Sequence, residues 1–285
     1  MLWIVYKKYH LVKAVYSPRL MSEAATKEGI ENEVYYSEFF SVVLENGVES
    51  LYYQNKKIEC LPKVAFIRCY NFQLMSFLEK NGVELVNSFE GMKLVKNKYD
   101  THYMAAKLNI SQPETILPDC VDFDFLKSKL SLPFVMKDNL GAAGRNVYLV
   151  STKEQMEEIL EQNKGVSFIF QKYVAFSKGK DIRLYVVGDE VVGCITRIAT
   201  SEDFRANISL GARAEKFECG EELKVQAVKL AKSLGLRICS VDYLFSGDDF
   251  MFCEANGNAA FHAFFSVGYN MQELFMKYIK RAFFS

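Results

Sequence analysis

Two segments near the carboxyl end, Ile238-Cys-Ser-Val-Asp-Tyr-Leu-Phe245 and Phe250-Met-Phe-Cys-Glu-Ala-Asn256, are the most informative part of the sequence. Both alternate between apolar and polar residues, and a short turn separates them, which predicts a β-hairpin. Side chains alternate between the two faces of a strand, and residues paired across a hairpin point to the same face. The pattern therefore places Asp242, Glu254 and Asn256 on one face.

The register of this hairpin is predicted by matching its apolar faces. Val241 then lies opposite Cys253, and the turn around residues 246–249 contains an odd number of residues. Asp242 and Glu254 become diagonal neighbours, about 7–8 Å apart between their Cα atoms.

Three oxygen ligands on one face, without histidine or cysteine, are typical of a Mg²⁺ site. Two carboxylates so close together repel each other unless a cation or a raised pKa relieves the repulsion. An ordinary polar face turned toward water is the alternative, and the spacing alone leaves it open.

The composition excludes several other classes of protein. The chain has 285 residues with 35 basic and 35 acidic side chains, so its net charge is zero. A general nucleic-acid or acidic-membrane binder would need a basic excess.

No apolar run approaches the roughly 20 residues of a membrane-spanning helix. The start of the chain lacks the pattern of a signal peptide. The seven cysteines are scattered, as expected for reduced thiols in a cytoplasmic protein.

The secondary-structure pattern changes near residue 90. Before it, strand-like Leu2–Tyr6 and Lys63–Cys69 alternate with helix-like Pro18–Glu28 and Phe72–Lys80. This alternation predicts a small parallel sheet flanked by helices. After it, several hairpins and four helices predict an α+β arrangement. We therefore expect an α/β domain followed by a larger α+β domain.

A glycine-containing loop follows Lys137, which ends the strand-like segment Phe134–Lys137. The loop spans Asp138–Asn146 and includes Gly141 and Gly144. It is not a Walker loop, because no Gly-Lys-Ser/Thr follows and the next element is a strand. Such a loop can still bind a triphosphate through backbone N–H groups. A flexible hairpin connection is the alternative.

Three arginines, Arg183, Arg197 and Arg205, lie within 23 residues of one another. The guanidinium group matches the geometry of phosphate, so this segment is a candidate phosphate site. Most arginines, however, occupy ordinary surface positions.

Taken together, these motifs resemble the RimK-like branch of the ATP-grasp ligases over nearly the whole chain. Six segments carry the resemblance in the expected order. They are Asn97-Lys98, Phe134-Val-Met-Lys137, Phe170-Gln-Lys-Tyr-Val174, Gly179–Val192, Phe204-Arg205-Ala-Asn207, and Val241-Asp242 with Glu254-Ala-Asn256.

The resemblance implies a set of functional residues. Lys98, Lys137, Arg205 and Asn207 would bind phosphates under the loop containing Gly141 and Gly144. The adenine pocket would be formed by Gln171, Lys172, Tyr173 and Val174, and the ribose would be held by Asp181. Mg²⁺, or alternatively Mn²⁺, would be bound by Asp242, Glu254 and Asn256. Catalysis would depend on Arg197, which stabilises the oxyanion, and on Arg205.

The resemblance also implies the fold and the reaction. Residues 1–90 would form an α/β preATP-grasp domain and residues 91–285 the ATP-grasp domain, divided into 91–170, which bears the lid, and 171–285. The expected activity is ATP-dependent formation of an amide from a carboxylate and an amine through an acyl-phosphate, as in glutamate ligases. Expected partners are an amino acid or peptide, with a carrier or acceptor protein and a homo-oligomer left open. No nucleic acid or membrane is expected.

The sequence departs from the family where the substrate would bind. After Glu254-Ala-Asn256 the family often has Ser-Pro-Gly, whereas this chain has Gly257-Asn-Ala-Ala-Phe-His262. The identity of the substrate therefore cannot be transferred from the family. Two alternatives stay open: a nucleotide-binding regulatory protein without turnover, and a peptide macrocyclase or cofactor ligase.

Overall fold

The structure is a computed structural model that describes residues 1–8, 17–142, 144–201, 203–206 and 211–285. The strands in these ranges are β1 (Leu2–Tyr6), β2 (Asn32–Tyr36), β3 (Phe40–Glu45), β4 (Val48–Tyr53), β5 (Lys56–Lys57), β6 (Val64–Arg68), β7 (Glu84–Leu85), β8 (Thr115–Ile116), β9 (Phe134–Asp138), β10 (Val147–Val150), β11 (Phe168–Lys172), β12 (Lys180–Val187), β13 (Glu190–Ile198), β14 (Arg213–Lys216), β15 (Ile238–Ser246) and β16 (Asp249–Asn256). The helices are α1 (Ser17–Lys27), α2 (Phe72–Lys80), α3 (Phe89–Lys96), α4 (Lys98–Lys107), α5 (Phe123–Leu130), α6 (Lys153–Gln162), α7 (Glu221–Ser233), α8 (His262–Phe265) and α9 (Met271–Phe283).

The first sheet is parallel, with strand order β2-β1-β6-β7. Strands β1 and β6 are buried along their whole length, because both faces of a parallel sheet are covered. The predicted α/β start is confirmed. The sequence analysis missed a three-stranded antiparallel insertion, β3-β4-β5, between β2 and β6.

The second sheet is a small antiparallel one, with strand order β10-β9-β11-β8. Helices α5 and α6 pack against it and close a separate hydrophobic core. Phe134 and Phe170 are fully buried at its centre, with 5.9 Å between their ring centroids. The glycine-containing loop connects β9 to β10, so it projects from this sheet.

The third sheet is antiparallel and has five strands in the order β14-β13-β12-β15-β16. Its apolar side chains join two clusters, one with α7 and the other with α9. The first sheet contributes to both clusters: Trp3 and Val5 to one, Leu2 and Ile4 to the other. The first and third sheets therefore share their cores, whereas the second sheet has its own.

Candidate active site

A cleft between the second and third sheets, called here the main cleft, brings together most of the residues predicted to bind a nucleotide and metal. Those that line it are Lys98, Lys137, Gly144, Gln171, Lys172, Tyr173, Val174, Asp181, Arg197, Arg205, Asp242 and Glu254. Two predicted residues lie beside it: Gly141, in the loop, and Asn256, which lines a second cleft. Asn207 lies outside the described residues.

The predicted register of the β15–β16 hairpin is wrong. Asp242 lies directly opposite Glu254, and Val241 lies opposite Ala255. The turn contains two residues, with Gly247 at a φ of 67°, and the register shifts after Asp242 instead. This bulge replaces the odd-numbered turn. The sharing of one face by Asp242, Glu254 and Asn256 does not depend on the error, because the stretch from Ser240 to Asp242 keeps a regular register.

A buried network of charges surrounds Asp242. Arg183 lies opposite it on β12 and donates Nε to Oδ1 at 2.8 Å and Nη2 to Oδ2 at 2.6 Å. Arg197 donates Nη2 to the same Oδ2 at 2.8 Å. Burial alone would raise the pKa of Asp242, but the two arginines outweigh it and hold the pKa below its usual range. Asp242 is therefore ionised and paired.

Arg197 joins this network to Asp181. The two residues face each other across β12 and β13, and Asp181 accepts from Nε at 2.7 Å and from Nη2 at 2.6 Å. Burial opposes the charge of Arg197, yet Asp181 and Asp242 together raise its pKa. Both oxygens of Asp181 contact Arg197, so the structure shows it fixing an arginine. Its contact with ribose stays a prediction.

Glu254 and Asn256 complete the set of candidate metal ligands. Among the described residues, no hydrogen bond or ion pair engages the carboxylate of Glu254 or the side-chain amide of Asn256. Directly opposed residues on antiparallel strands lie about 4.5–5.5 Å apart at Cα. Two carboxylates and an amide oxygen on one face form a donor set that suits a hard cation such as Mg²⁺. The residues present therefore fit the predicted metal.

Three cations hold the glycine-containing loop through its carbonyl oxygens. Lys96 donates to the carbonyl of Leu140, and Lys98 donates Nζ to that of Gly141 at 2.6 Å. Arg205 donates Nη1 to the carbonyl of Gly144 at 2.8 Å. Backbone carbonyls thus face cations at the positions where the sequence predicts phosphate oxygens.

The opposite end of the main cleft has a different character. Pro113 and Val135 give it an apolar lining beside Gln171, and Val147 and Leu244 add to the apolar lining of the cleft. Gln171 lies opposite Val135 on the neighbouring strand. An apolar slot with one amide suits a planar heterocycle, whereas the lysines and arginines at the other end suit phosphates.

The second cleft lies between the first sheet, the loop and the third sheet. It shares Ala142, Arg145 and Arg197 with the main cleft. The rest of its lining includes Lys7, Ser37, Glu38, Cys69, Tyr70, Asn71, Gln73, Lys96, Arg183, Asn256, Asn258, Ala259 and Ala260. The candidate metal ligands therefore lie at the border between two clefts.

The structure places three further residues at this site. The sequence analysis assigned Arg183 only a candidate role in binding phosphate, and it assigned Lys96 and His102 no role in the site. Arg183 belongs to the motif Gly179–Val192, and its spacing of two from Asp181 was the available signal. Lys96 lies at the end of α3, which was not predicted. His102 lies one turn after Lys98 on the same helix, and no pattern in the sequence connects it to Gln171.

The comparisons with known proteins agree with this geometry. Residues 95–279 match the family model described as the RimK-like ATP-grasp domain. The chain is 29% identical over 261 residues to N-acetylaspartylglutamate synthase A of Homo sapiens, covering 86% of this chain and 66% of that protein. It is 30% identical over 238 residues to a probable alpha-L-glutamate ligase of Rhodopirellula baltica, covering 80% of this chain and 59% of that protein.

Among solved structures, the ATP-grasp ligase PsnB in complex with a minimal precursor, Mg and ADP superposes with a TM-score of 0.70. The identity is 17%, and the match covers 97% of this chain and 96% of that one. At this identity the likeness concerns the fold. The predicted mixed α/β, ATP-grasp fold is confirmed.

The chain therefore belongs to the RimK-like ATP-grasp family, as predicted, and so to a class of ligases that form carbon–nitrogen bonds. It spans about two-thirds or less of the length of the two curated relatives named above. Within the described residues, no helix is both long and apolar enough to cross a membrane.

Proposed function

We propose that this chain is an ATP-dependent ligase that joins a carboxylate to an amine through an acyl-phosphate. The observation that carries the proposal is the meeting of two clefts at one set of oxygen ligands. Asp242 and Glu254 face the main cleft, Asn256 faces the second cleft, and Arg197 lines both. A γ-phosphate held at this border would lie beside a carboxylate bound in the second cleft.

The nucleotide would occupy the main cleft with its base at the apolar end. Lys98, Lys137 and Arg205 would neutralise the phosphates, which phosphoryl transfer requires more than any covalent chemistry by the protein. The loop carbonyls that now face Lys98 and Arg205 would give way to phosphate oxygens. The remaining roles proposed from the family are adenine contacts for Gln171, Lys172, Tyr173 and Val174, ribose contact for Asp181, and phosphate contact for Asn207 and the loop glycines Gly141 and Gly144.

Asp242, Glu254 and Asn256 would hold Mg²⁺, with Mn²⁺ as an alternative. When bound, the ion would neutralise charge on the phosphates. Its binding would also change the surroundings of Asp242, whose oxygens now accept from Arg183 and Arg197. Both arginines line the second cleft, so they are near the substrate as well.

The reaction would proceed in two steps. First, a carboxylate oxygen of the substrate attacks the γ-phosphorus, the bond to the β–γ bridging oxygen breaks, and ADP leaves. Second, an amine attacks the acyl carbon, loses a proton, and phosphate leaves. Arg197, which Asp181 fixes, would stabilise the oxygen that becomes negative in the second step. The glycine-containing loop, held by Lys98 and Arg205, would exclude water from the acyl-phosphate.

The charges of the second cleft favour an acidic substrate. Lys7, Lys96 and Arg145 line it, against one carboxylate, Glu38. The relatives named above carry glutamate or N-acetylaspartylglutamate in their names. We therefore propose an amino acid or peptide with more than one carboxylate.

All seven cysteines are free, which agrees with a reducing cytoplasm. A carrier protein, a homo-oligomer and the domain boundary near residue 90 stay predictions.

The test is Mg²⁺-dependent release of ADP from ATP, measured across pairs of amino acids, short acidic peptides and small carboxylates. Glu254→Gln is the control, because it keeps the shape of the side chain and removes its charge. ADP release that requires both a carboxylate and an amine, and that disappears in the control, is the expected result. Tight ATP binding with no release for any pair would instead favour a regulatory protein without turnover. Release by the control at the wild-type rate would exclude Glu254 as a metal ligand.

A further inference from the structure

A chain of neutral hydrogen bonds lies beneath the apolar end of the main cleft. His102 and Gln171 are 2% and 1% exposed, and the His102 Nε2 atom lies 2.8 Å from Gln171 Nε2. The other ring nitrogen, Nδ1, lies 2.6 Å from the Oε1 atom of Gln112. These contacts connect helix α4, which carries Lys98, with strand β11, which carries Gln171.

The direction of each bond follows from its chemistry. Gln112 donates Nε2 to the backbone carbonyl of His102 at 2.9 Å, so its Oε1 is the acceptor that faces Nδ1. The proton of the ring is therefore on Nδ1. Burial and then the charge of Lys137 lower the pKa of His102 to about 4. They outweigh the hydrogen bonds to Gln112 and to the backbone of Cys253, which act in the opposite direction, so the ring is neutral at pH 7. Its Nε2 is consequently an acceptor, and Gln171 must donate to it.

The second amide proton of Gln171 is also used. Thr115 donates its hydroxyl to the carbonyl of Pro113 at 2.9 Å, and its oxygen accepts from Gln171 Nε2 at 2.8 Å. Both protons of the amide thus point away from the cleft. The amide oxygen, Oε1, is the remaining polar atom of this side chain, and Gln171 lines the cleft beside Val135.

We propose that His102 is a positioning residue that makes the site selective for adenine. It fixes the amide of Gln171 so that an acceptor, rather than a donor, faces the base. An acceptor pairs with the 6-amino group of adenine and opposes the 6-oxo group of hypoxanthine or guanine. The inference rests on the proposed function only in placing a purine at this end of the cleft.

His102 has a competing structural role, because its ring also packs on Phe252 with 5.0 Å between centroids. Loss of packing would weaken the binding of every nucleotide alike. Loss of the acceptor at Nε2 would instead free the amide of Gln171 to turn, and would change the ratio between bases. The ratio of affinities for ATP and ITP therefore separates the two roles, since these nucleotides differ only at position 6 and the adjacent N1.

The experiment is calorimetric binding of Mg-ATP and Mg-ITP to the full chain and to His102→Phe, Gln171→Met and the double variant. The wild type should prefer ATP by at least about tenfold, as expected when a buried polar group loses its partner. His102→Phe should bring the ratio to within about threefold. In the Gln171→Met background, the same change at position 102 should leave the ratio unaltered. His262→Phe, which alters a histidine outside the main cleft, is the matched control and should keep the wild-type ratio.

Circular dichroism establishes that each variant is folded, and ¹⁵N NMR of the histidine rings gives an independent measurement. The wild type should show a neutral His102 ring protonated at Nδ1. An ATP:ITP ratio unchanged by His102→Phe, or an Nε2-protonated ring, would overturn the inference while leaving the proposed ligase intact. A wild type that binds neither nucleotide would refute the nucleotide site itself, and the inference with it.

Discussion

The two ends of the main cleft are built in contrasting ways. At the phosphate end, four charged side chains contact one another: Arg183, Arg197, Asp181 and Asp242. At the base end, the buried polar groups are neutral and each hydrogen bond has one direction. The attraction between charges changes little when a ligand shifts slightly. A hydrogen bond with a fixed donor and acceptor instead favours one ligand over another of similar shape. Since the charges of these four side chains cancel, we expect neutralisation of the phosphates to come from Lys98, Lys137 and Arg205, which line the same cleft, and selectivity to come from the base end.

The largest expected effect is the loss of stability when the charged network at the phosphate end is disrupted. Asp242→Asn removes a buried charge that pairs with buried Arg197 and half-buried Arg183, so we expect the free energy of unfolding to fall by about 3 kcal/mol. Glu254→Gln alters a carboxylate without an arginine partner among the described residues, so its loss should stay below about 1 kcal/mol. Urea unfolding of both variants measures the difference. Equal losses would show that the network does not stabilise the fold.

At the base end, the expected effect is a dependence of the free energy of unfolding on pH, caused by His102. The pKa of His102 is lowered from 6.5 to about 4 in the folded chain, so the unfolded chain binds the proton first as the pH falls. Between about pH 6.5 and 4, this group should therefore reduce the free energy of unfolding by about 3 kcal/mol in total. His102→Phe should lack this contribution. Urea unfolding at intervals from pH 7 to 4 tests it, and parallel curves for the two proteins would contradict it.

A smaller effect is expected where the loop meets the charged end. Arg205→Gln removes one cation facing the Gly144 carbonyl, and we expect Mg-ATP affinity to fall about tenfold, or about 1.4 kcal/mol. Without nucleotide, the amides of residues 138–142 should exchange with solvent faster. Arg213→Gln, at an exposed arginine paired with Glu215, is the control. Unchanged exchange in the loop would mean that Arg205 does not hold it.

The smallest effect is expected at an ion pair that is exposed to solvent, which can be compared with the buried pairs of the cleft. Lys164 and Glu161 approach to 2.5 Å, close to the 2.6 Å between Arg197 and Asp181, but their side chains are 74% and 71% exposed. Exposed pairs contribute little, so Lys164→Gln should change the free energy of unfolding by less than about 0.5 kcal/mol. A loss comparable with that of Asp242→Asn would show that separation, rather than burial, sets the strength of these pairs.

The sequence predicted the parts of the fold that depend on periodicity. The predicted bounds of the strand Leu2–Tyr6 and of the helix Phe72–Lys80 agree with the structure residue by residue. Helix α3 was missed because Phe89–Lys96 is short and runs almost directly into Lys98–Lys107. The insertion β3-β4-β5 was missed because its strands are partly exposed and carry weak alternation.

The sequence predicted which residues of the candidate site share a strand face, but it did not predict which of them lie opposite or contact one another. Alternation along a strand fixes which residues share a face, so the grouping of Asp242 with Glu254 needs no tertiary information. The register does, because the two-residue turn after Ser246 and the shift beyond Asp242 each move the pairing by one residue in the same direction. The pairing of Arg197 with Asp181 depends on a neighbouring strand, and a single sequence does not reveal it.

The sharing of cores between the first and third sheets has a mechanical consequence. Leu2 and Phe66 lie in the same cluster as Tyr185 and Phe275, so hinging these sheets apart would expose apolar surface to water. The second sheet closes its own core around Phe134 and has no such restraint. Any opening of the cleft that keeps all three cores intact must therefore move the second sheet and its loop. The third sheet, which bears the candidate metal ligands, would keep its position relative to the first sheet.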